Sequence, residues 1–293
     1  MTGRGEWERS DVVRREGRAR GRLRLVVVLA VLVGTVTAVA IAFDRRGDSA
    51  AVPTPAVAAP PPIRVTFPEG LRREDMARIL DEKTDLSGQE YLDATAAGPS
   101  GAERAGVTRP TSLEGFLFPA TYDIGTETTV PDLVEQQLAA YDGAVGAVDM
   151  RFAKSRNLTP YDVLIIASMV EREVAEGSER PTVAGVIYNR LNRKMRLDID
   201  ATVQYAVGEW RALTAKDLAS DSPYNTRMFS GLPPGPIASP GLASIEAAAR
   251  PRRSAFLYYV AREDGSNRHY FAKSIEEFET LKTRARANAA ANP

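Results

Sequence analysis

The sequence predicts an α+β fold preceded by a single N-terminal transmembrane helix, and three observations carry that expectation. Residues 25–43, LVVVLAVLVGTVTAVAIAF, are nineteen consecutive positions without a charge. Strand-like runs lie at 63–67, where apolar and polar residues alternate, and at 255–260 and 269–272. Between them, the stretches 71–84, 130–141, 161–175 and 178–191 place apolar residues at helical spacing. The chain has 293 residues, 44% of them hydrophobic and 26% charged, enough for one large or two modest domains with a core.

A nineteen-residue helix spans roughly 28 Å at 1.5 Å per residue, about one hydrocarbon core. Residues 1–24 hold eight arginines against four acids, and only Arg45 and Arg46 follow the span closely. This bias keeps the amino terminus cytoplasmic and the bulk of the chain outside. A cleaved signal peptide is the competing reading, but the apolar run exceeds a usual signal core. The remaining 30 basic and 34 acidic residues make the exported part mildly acidic. Residues 44–62 include GDSAAVPTPAVAAPPP, whose five prolines predict a semi-extended linker of at most roughly 50 Å.

The folded part begins at Ile63. IRVTF reads as a strand, PEG as a turn, and LRREDMARILDEKT as a helix with Leu71, Met76, Ile79 and Leu80 inward. Residues 98–110 are turn-rich and read as a connection. Thr159 and Pro160 form an N-cap and first-turn proline for a helix whose centre, VLIIASMV, is apolar nearly all round and therefore buried. Ser178 to Pro181 opens the next helix, with Val183, Val186, Ile187 and Leu191 inward. The proline- and glycine-rich run 223–241 predicts a structured loop. A strand, a polar turn at 263–267, a second strand and a helix capped by Ser274 with Glu277 complete the chain.

Composition narrows the chemistry. Lysine plus arginine equals aspartate plus glutamate at 38 each, so no global basic field exists to hold nucleic acid. With no cysteine, thiolate metal sites, disulfides and thiol nucleophiles are excluded. The single histidine, His269, cannot build a multi-histidine metal site, and a Ser-His-Asp triad would have to use it. If the chain is an enzyme, carboxylates are the expected actors.

Glu171 ends the apolar run and shares a helix face with Leu164, Ala167 and Ser168. Desolvation there disfavours its charged form, as a general acid near neutral pH requires. The bland alternative is a helix-end glutamate paired with an arginine such as Arg172 or Arg190. Glu173 projects about 200° away around the helix, so only one of the two can face a given cleft. Asp198 and Asp200, in RKMRLDID ahead of Thr202 and Gln204, alternate as on a strand and form either a paired-carboxylate site or a solvent face. Glu114 sits among apolar residues in LEGFLF, where a turn-stabilising bond is its plain explanation. Tyr224 and Asn225 offer hydroxyl and amide groups suited to sugars or to bracing their own loop. His269, in a strand, reads as structural.

The string ASMVEREVAEGSERPTVAGVIYNRLNRKMRLDIDATVQYAVG at 167–208, with LEGFLFPATY at 113–122, SPYNTRMFSGLPPGPIASPG at 222–241 and HYFAKSIEEF at 269–278, resembles the endolytic murein transglycosylases of the YceG-like (MltG) family. The resemblance spans about 63–281 and implies a single-pass membrane enzyme that cuts peptidoglycan glycan strands internally. The scissile bond is that between N-acetylmuramic acid and N-acetylglucosamine, and cutting leaves 1,6-anhydro ends that terminate glycan elongation. It implies a small LysM-like module at 63–110, a mixed α/β catalytic domain at 111–285, a tail at 286–293, and peptidoglycan synthases as partners. It places the catalytic acid on the first glutamate of VERE, Glu171, implies that no metal or cofactor is needed, and makes Glu114, Asp200, Thr202, Gln204, Tyr224 and Asn225 candidate substrate-binding residues. Three departures stand out: VTFPEG follows the linker directly, Asp200-Ala201 replaces Asp-Pro, and Arg227 replaces the last tyrosine of YNTY. Two other readings are a muramidase-type hydrolase pairing Glu171 with Asp198 or Asp200, and an anchored glycan-binding scaffold without activity.

Overall fold

In the computed structural model, residues 60–96 and 112–291 are described. The expected transmembrane helix, most of the linker and the 98–110 connection lie outside them. Among the described residues, no helix is long and apolar enough to cross a membrane.

Strand β1 (Ile63–Thr66) pairs antiparallel with β2 (Thr121–Ile124), setting Val65 opposite Tyr122. Helices α1 (Arg73–Lys83) and α2 (Gly88–Thr95) pack on each other, and α2 also meets α3 (Val130–Val145). Met76, Leu80, Tyr91 and Leu133 are fully buried at this junction. Burying an aliphatic side chain of this size contributes roughly 1.5–3 kcal/mol. The one polar group among them, the Tyr91 hydroxyl, donates to Gln137 Oε1 at 2.8 Å. After the short α4 (Arg151–Lys154) comes the hub of the molecule, α5 (Pro160–Glu173).

Helix α5 starts as its sequence dictates. Asp162 N donates to Thr159 Oγ1 at 3.1 Å, while Asp162 Oδ2 accepts from Thr159 N at 2.7 Å, a reciprocal cap. Every residue from Val163 to Val170 is buried, because α6 (Arg180–Asn192) and α9 (Leu242–Ala249) cover it. A 3₁₀ turn, Gly177–Glu179, leads into α6. Ser168 is the polar exception on the buried surface, and its hydroxyl donates to Ile165 O and accepts from Ile237 N at 3.0 Å.

That bond, with Gly70 N to Ser239 O and Ser239 N to Leu71 O, both 2.8 Å, straps the 223–241 loop to the hub and to the turn after β1. The loop is structured, as expected. Gly115, at φ +84°, passes so close to Pro236 that a Cβ would stand 2.6 Å from its ring. Strands β3 (Tyr258–Ala261) and β4 (His269–Ala272) form a hairpin covered by α10 (Ile275–Ala291).

One local expectation is corrected. The segment holding Asp198 and Asp200 is not strand-like. Asp198 takes a positive φ of 51°, and Asp200 opens helix α7 (Asp200–Val207). The short α8 (Ala215–Leu218) then leads into the proline-rich loop.

Candidate active site

The last turn of α5 carries two glutamates into two different places. Glu171 lies at the crossing of the turn after β1, the loop before α9 and the start of α6. Its carboxylate accepts from Gly241 N at 3.0 Å and from Arg180 Nη2 at 3.4 Å, and its side chain is 7% exposed. Arg180 also reaches Glu69, at 3.9 Å. Burial, and then the nearby charge of Glu171, pushes the Glu69 carboxyl above its ordinary value, with Arg180 opposing. A Cβ at residue 241 would run into the Glu69 carboxylate. Glu171 is thus a satisfied carboxylate at a three-segment junction, paired with an arginine as the bland reading has it, though with Arg180 in place of Arg172 or Arg190. Arg172 donates to Gly70 O at 3.1 Å and lies 3.8 Å over the ring of Trp210.

Glu173 faces an open cleft of about 550 Å³ between the start of α7 and the β3–β4 hairpin. The walls include Asp198, Asp200, Arg227, Tyr258, Tyr259 and His269. Tyr259 donates its hydroxyl to Glu173 Oε2 at 2.8 Å. Burial pushes the Glu173 carboxyl above its ordinary value; the Tyr259 bond opposes this, the Asp200 charge adds to it, and His269 opposes it. The phenol is in turn pushed well up, by burial first and then by the Glu173 charge, so it remains a donor. His269 meets the Tyr259 ring edge-on at 5.4 Å and holds Glu179 Oε2 with its Nδ1 at 2.8 Å. A line of groups from Glu179 through His269 and Tyr259 therefore fixes Glu173. A carboxyl that is half-buried, oriented and raised is suited to giving up a proton and taking one back.

The other sequence candidates divide. Asp200 shares the cleft with Glu173 and bonds Arg227 Nη1 at 2.7 Å. Asp198 also lines the cleft, its Oδ2 3.4 Å from Arg190 Nη1, so both acids face one site by way of a turn and a helix start instead of strand alternation. Thr202 is fully buried, donating to Ile199 O at 2.7 Å and sharing a 2.9 Å bond with Thr226. Gln204 donates to Arg211 O at 2.7 Å, and the Tyr224 ring packs at 4.8 Å on Tyr205. Glu114 is buried beneath the start of α1, where its Oε2 accepts from Arg73 N at 3.4 Å. None of these four lines the cleft.

Asn225 is fully buried, and its amide donates to Leu218 O at 3.1 Å and Ser220 O at 2.8 Å, while Oδ1 accepts from Arg227 N at 3.0 Å. It shapes the turn that presents Arg227. Asn225→Ala is therefore expected to lower stability by about 1–3 kcal/mol, and to lower activity in step, because the partly buried carbonyls of Leu218 and Ser220 lose their donor and the Arg227 N–H its acceptor. Activity lost with an unchanged melting temperature would instead give Asn225 a direct role toward substrate.

Tyr259 is the group that sequence reasoning missed. FLYYVA carries no sign of which tyrosine reaches a carboxyl: both Tyr258 and Tyr259 line the cleft, and only the Tyr259 hydroxyl bonds Glu173.

Fold and site together define an α+β protein with a carboxyl-centred cleft, built from a buried helix end and a β-hairpin. The YceG-like family profile matches residues 49–284, and the chain belongs to this family. The chain is 38% identical over 172 residues to the endolytic murein transglycosylase of Bacillus subtilis, covering 58% of this chain and 47% of that one. It is 36% identical over 237 residues to that of Streptococcus pneumoniae R6, covering 73% and 43%. Each match thus spans less than half the length of these curated relatives. The crystal structure of a YceG-like protein from Listeria monocytogenes superposes with a TM-score of 0.66 at 33% identity, covering 75% of this chain and 76% of that one.

Proposed function

We propose that this protein is an endolytic peptidoglycan lytic transglycosylase and that Glu173 is its general acid and base. The observation that carries this is the raised, Tyr259-bonded carboxyl of Glu173 in an open cleft shared with Asp200. The sequence resemblance pointed to Glu171; the choice of Glu173 rests on the two environments, since Glu171 is engaged by Arg180 and Gly241 N. Protonated Glu173 gives its proton to the glycosidic oxygen as the bond from muramyl C1 breaks. The carboxylate left behind takes the proton of the C6 hydroxyl while that oxygen bonds to C1. The products are a 1,6-anhydromuramyl end and a new N-acetylglucosamine hydroxyl, Glu173 is protonated again, and no water is consumed. One carboxyl suffices for both proton transfers.

The setting belongs to the same proposal: a cytoplasmic basic segment at 1–24, a membrane anchor at 25–43, a linker at 44–62, a LysM-like module within 63–110, and an extracytoplasmic catalytic domain acting on nascent strands beside peptidoglycan synthases. A hydrolase in which Asp200 activates water across from Glu173 is a second reading, because both carboxyls line one cleft. Mass spectrometry of peptidoglycan fragments released by the purified full-length protein in detergent separates the two. Anhydro ends are expected. Reducing ends would establish the hydrolase, and no released fragments would overturn both.

A further inference from the structure

A second cavity, of about 600 Å³, lies between α6 and the segment that leads into β3, and it shares no lining residue with the cleft around Glu173. Phe152, Leu158, Leu191 and Leu232 give it an apolar surface, each resting on the core yet only partly buried. Around them stand three exposed arginines, Arg156, Arg252 and Arg253, and no carboxylate lines the cavity. The guanidiniums of Arg156 and Arg253 lie 5.4 Å and 6.0 Å from the Phe152 ring centre. Among the described residues, none of the three guanidiniums has a carboxylate or hydrogen-bond partner. Composition does not force this, since acids and bases balance at 38 each. Like charges gathered without counter-charge repel one another, and an anionic ligand relieves that repulsion. The wall that carries two of them is held in place: Arg252 N donates to Pro181 O at 2.7 Å, and Asn189 Nδ2 donates to Ser254 O at 3.0 Å and to Phe256 O at 2.8 Å. Gly185 permits this close approach, because a Cβ there would collide with Arg252 O.

We infer that this cavity is a subsite for the peptide stem of a glycan strand bound in the cleft, the short carboxylate-bearing peptide that a muramyl residue carries on its lactyl group. This deepens the transglycosylase reading and rests on it. The chemistry of the cavity selects the stem. A stem combines free carboxylates with the methyl side chains of alanine, and the cavity sets guanidinium forks, which match carboxylates, around an open apolar surface. A ligand that offers charge alone, such as phosphate, leaves that surface uncovered. Placement agrees. Asn189 lines this cavity and its neighbour Arg190 lines the cleft. Ser254 and Tyr258 are divided in the same way, and the chain between them spans at most roughly 14 Å. An extended five-residue stem reaches roughly 17 Å, enough to pass from one site to the other. The stem then acts as a second hold on the strand, so its contribution falls on KM and leaves the chemical step alone.

The test has two readouts on the full-length protein in detergent: fluorescence anisotropy of a dye-labelled stem pentapeptide, and cleavage kinetics of peptide-bearing strands beside the same strands stripped of their stems by an amidase. The double variant Arg252→Gln, Arg253→Gln is expected to bind the pentapeptide on the order of tenfold more weakly, as the loss of charge-assisted bonds implies. Converting the stem carboxylates to methylamides should weaken binding to the native protein by a similar factor. In cleavage, the double variant should raise KM for peptide-bearing strands to the value for stripped strands, with kcat unchanged and stripped strands unaffected. No pentapeptide binding by the native protein, binding that survives the double variant, or displacement of the peptide by an equal concentration of inorganic phosphate overturns the subsite. Equal KM for the two kinds of strand overturns it as well. Any of these results, with strands still cleaved, leaves the transglycosylase reading standing, whereas cleavage of neither strand defeats that reading and leaves the pentapeptide measurement to decide the subsite.

Discussion

Glu173→Gln is expected to reduce glycan cleavage by roughly 10²- to 10⁴-fold with the fold unchanged, while Glu171→Gln retains most of the activity. The amide keeps the size of the side chain and its bond from Tyr259, but can neither give nor take the proton. At Glu171 the same change removes a charge that Arg180 and Gly241 N stabilise at a segment junction, so its effect falls on stability. Fragment release per unit of folded protein, with melting temperature as control, distinguishes the two. Loss of cleavage confined to Glu171→Gln would move the chemistry to the other side of the helix. Tyr259→Phe gives an independent check. Its hydroxyl lowers the Glu173 pKa, so removing it raises that pKa further. The acid must be protonated to act, so the alkaline limb of the rate profile should shift to higher pH. An unmoved limb would mean that another group sets it.

Periodicity and capping made much of the fold legible. The hub helix is written in Thr159, Pro160 and VLIIASMV, and its cap and burial follow directly. The proline-rich loop reads as structured because its residues cannot form a helix, and Ser168 and Gly70 supply the bonds that hold it. What the sequence hides is which way a helix end faces. Glu171 and Glu173 both follow the same apolar run, and helical geometry says only that they diverge. Their fates depend on Gly241, 70 positions along the chain from Glu171, and on Tyr259, 86 positions from Glu173. The polar groups of 222–226 were equally ambiguous, since amides and hydroxyls suit sugars and turns alike. Asn225 and Thr226 satisfy backbone groups around them, and it is the next residue, Arg227, that lines the cleft. Asp198 and Asp200 converge on one site although the strand pattern that suggested it is absent, because a positive-φ turn followed by a helix start brings them there.

Stability is expected to fall steadily from pH 5 to pH 8, and Glu114→Gln should flatten much of that slope. Glu114 is 3% exposed, its Oε2 accepts a long 3.4 Å bond from Arg73 N, and its Oε1 is buried without a hydrogen-bond partner. Burial, and then the charge of Glu74, pushes its carboxyl up to about 8. In the unfolded chain a glutamate titrates near 4.3. Below that value both states are protonated and Glu114 costs nothing. Above it the unfolded chain releases its proton while the native state retains it, so the native state binds more protons and loses stability as pH rises. The loss is about 1.4 kcal/mol per pH unit, or ~3 kcal/mol between pH 5 and 7.5, and it levels off once the native carboxyl itself ionises near pH 8. Glu69 and Glu173, also raised, add a smaller slope of the same sign that the variant retains. Glutamine is neutral at every pH and similar in shape, so the variant should match the native protein near pH 5 and exceed it near pH 8. Urea midpoints of both proteins across this range provide the measurement, and parallel slopes would show that Glu114 ionises in the folded state without the burial cost assigned to it.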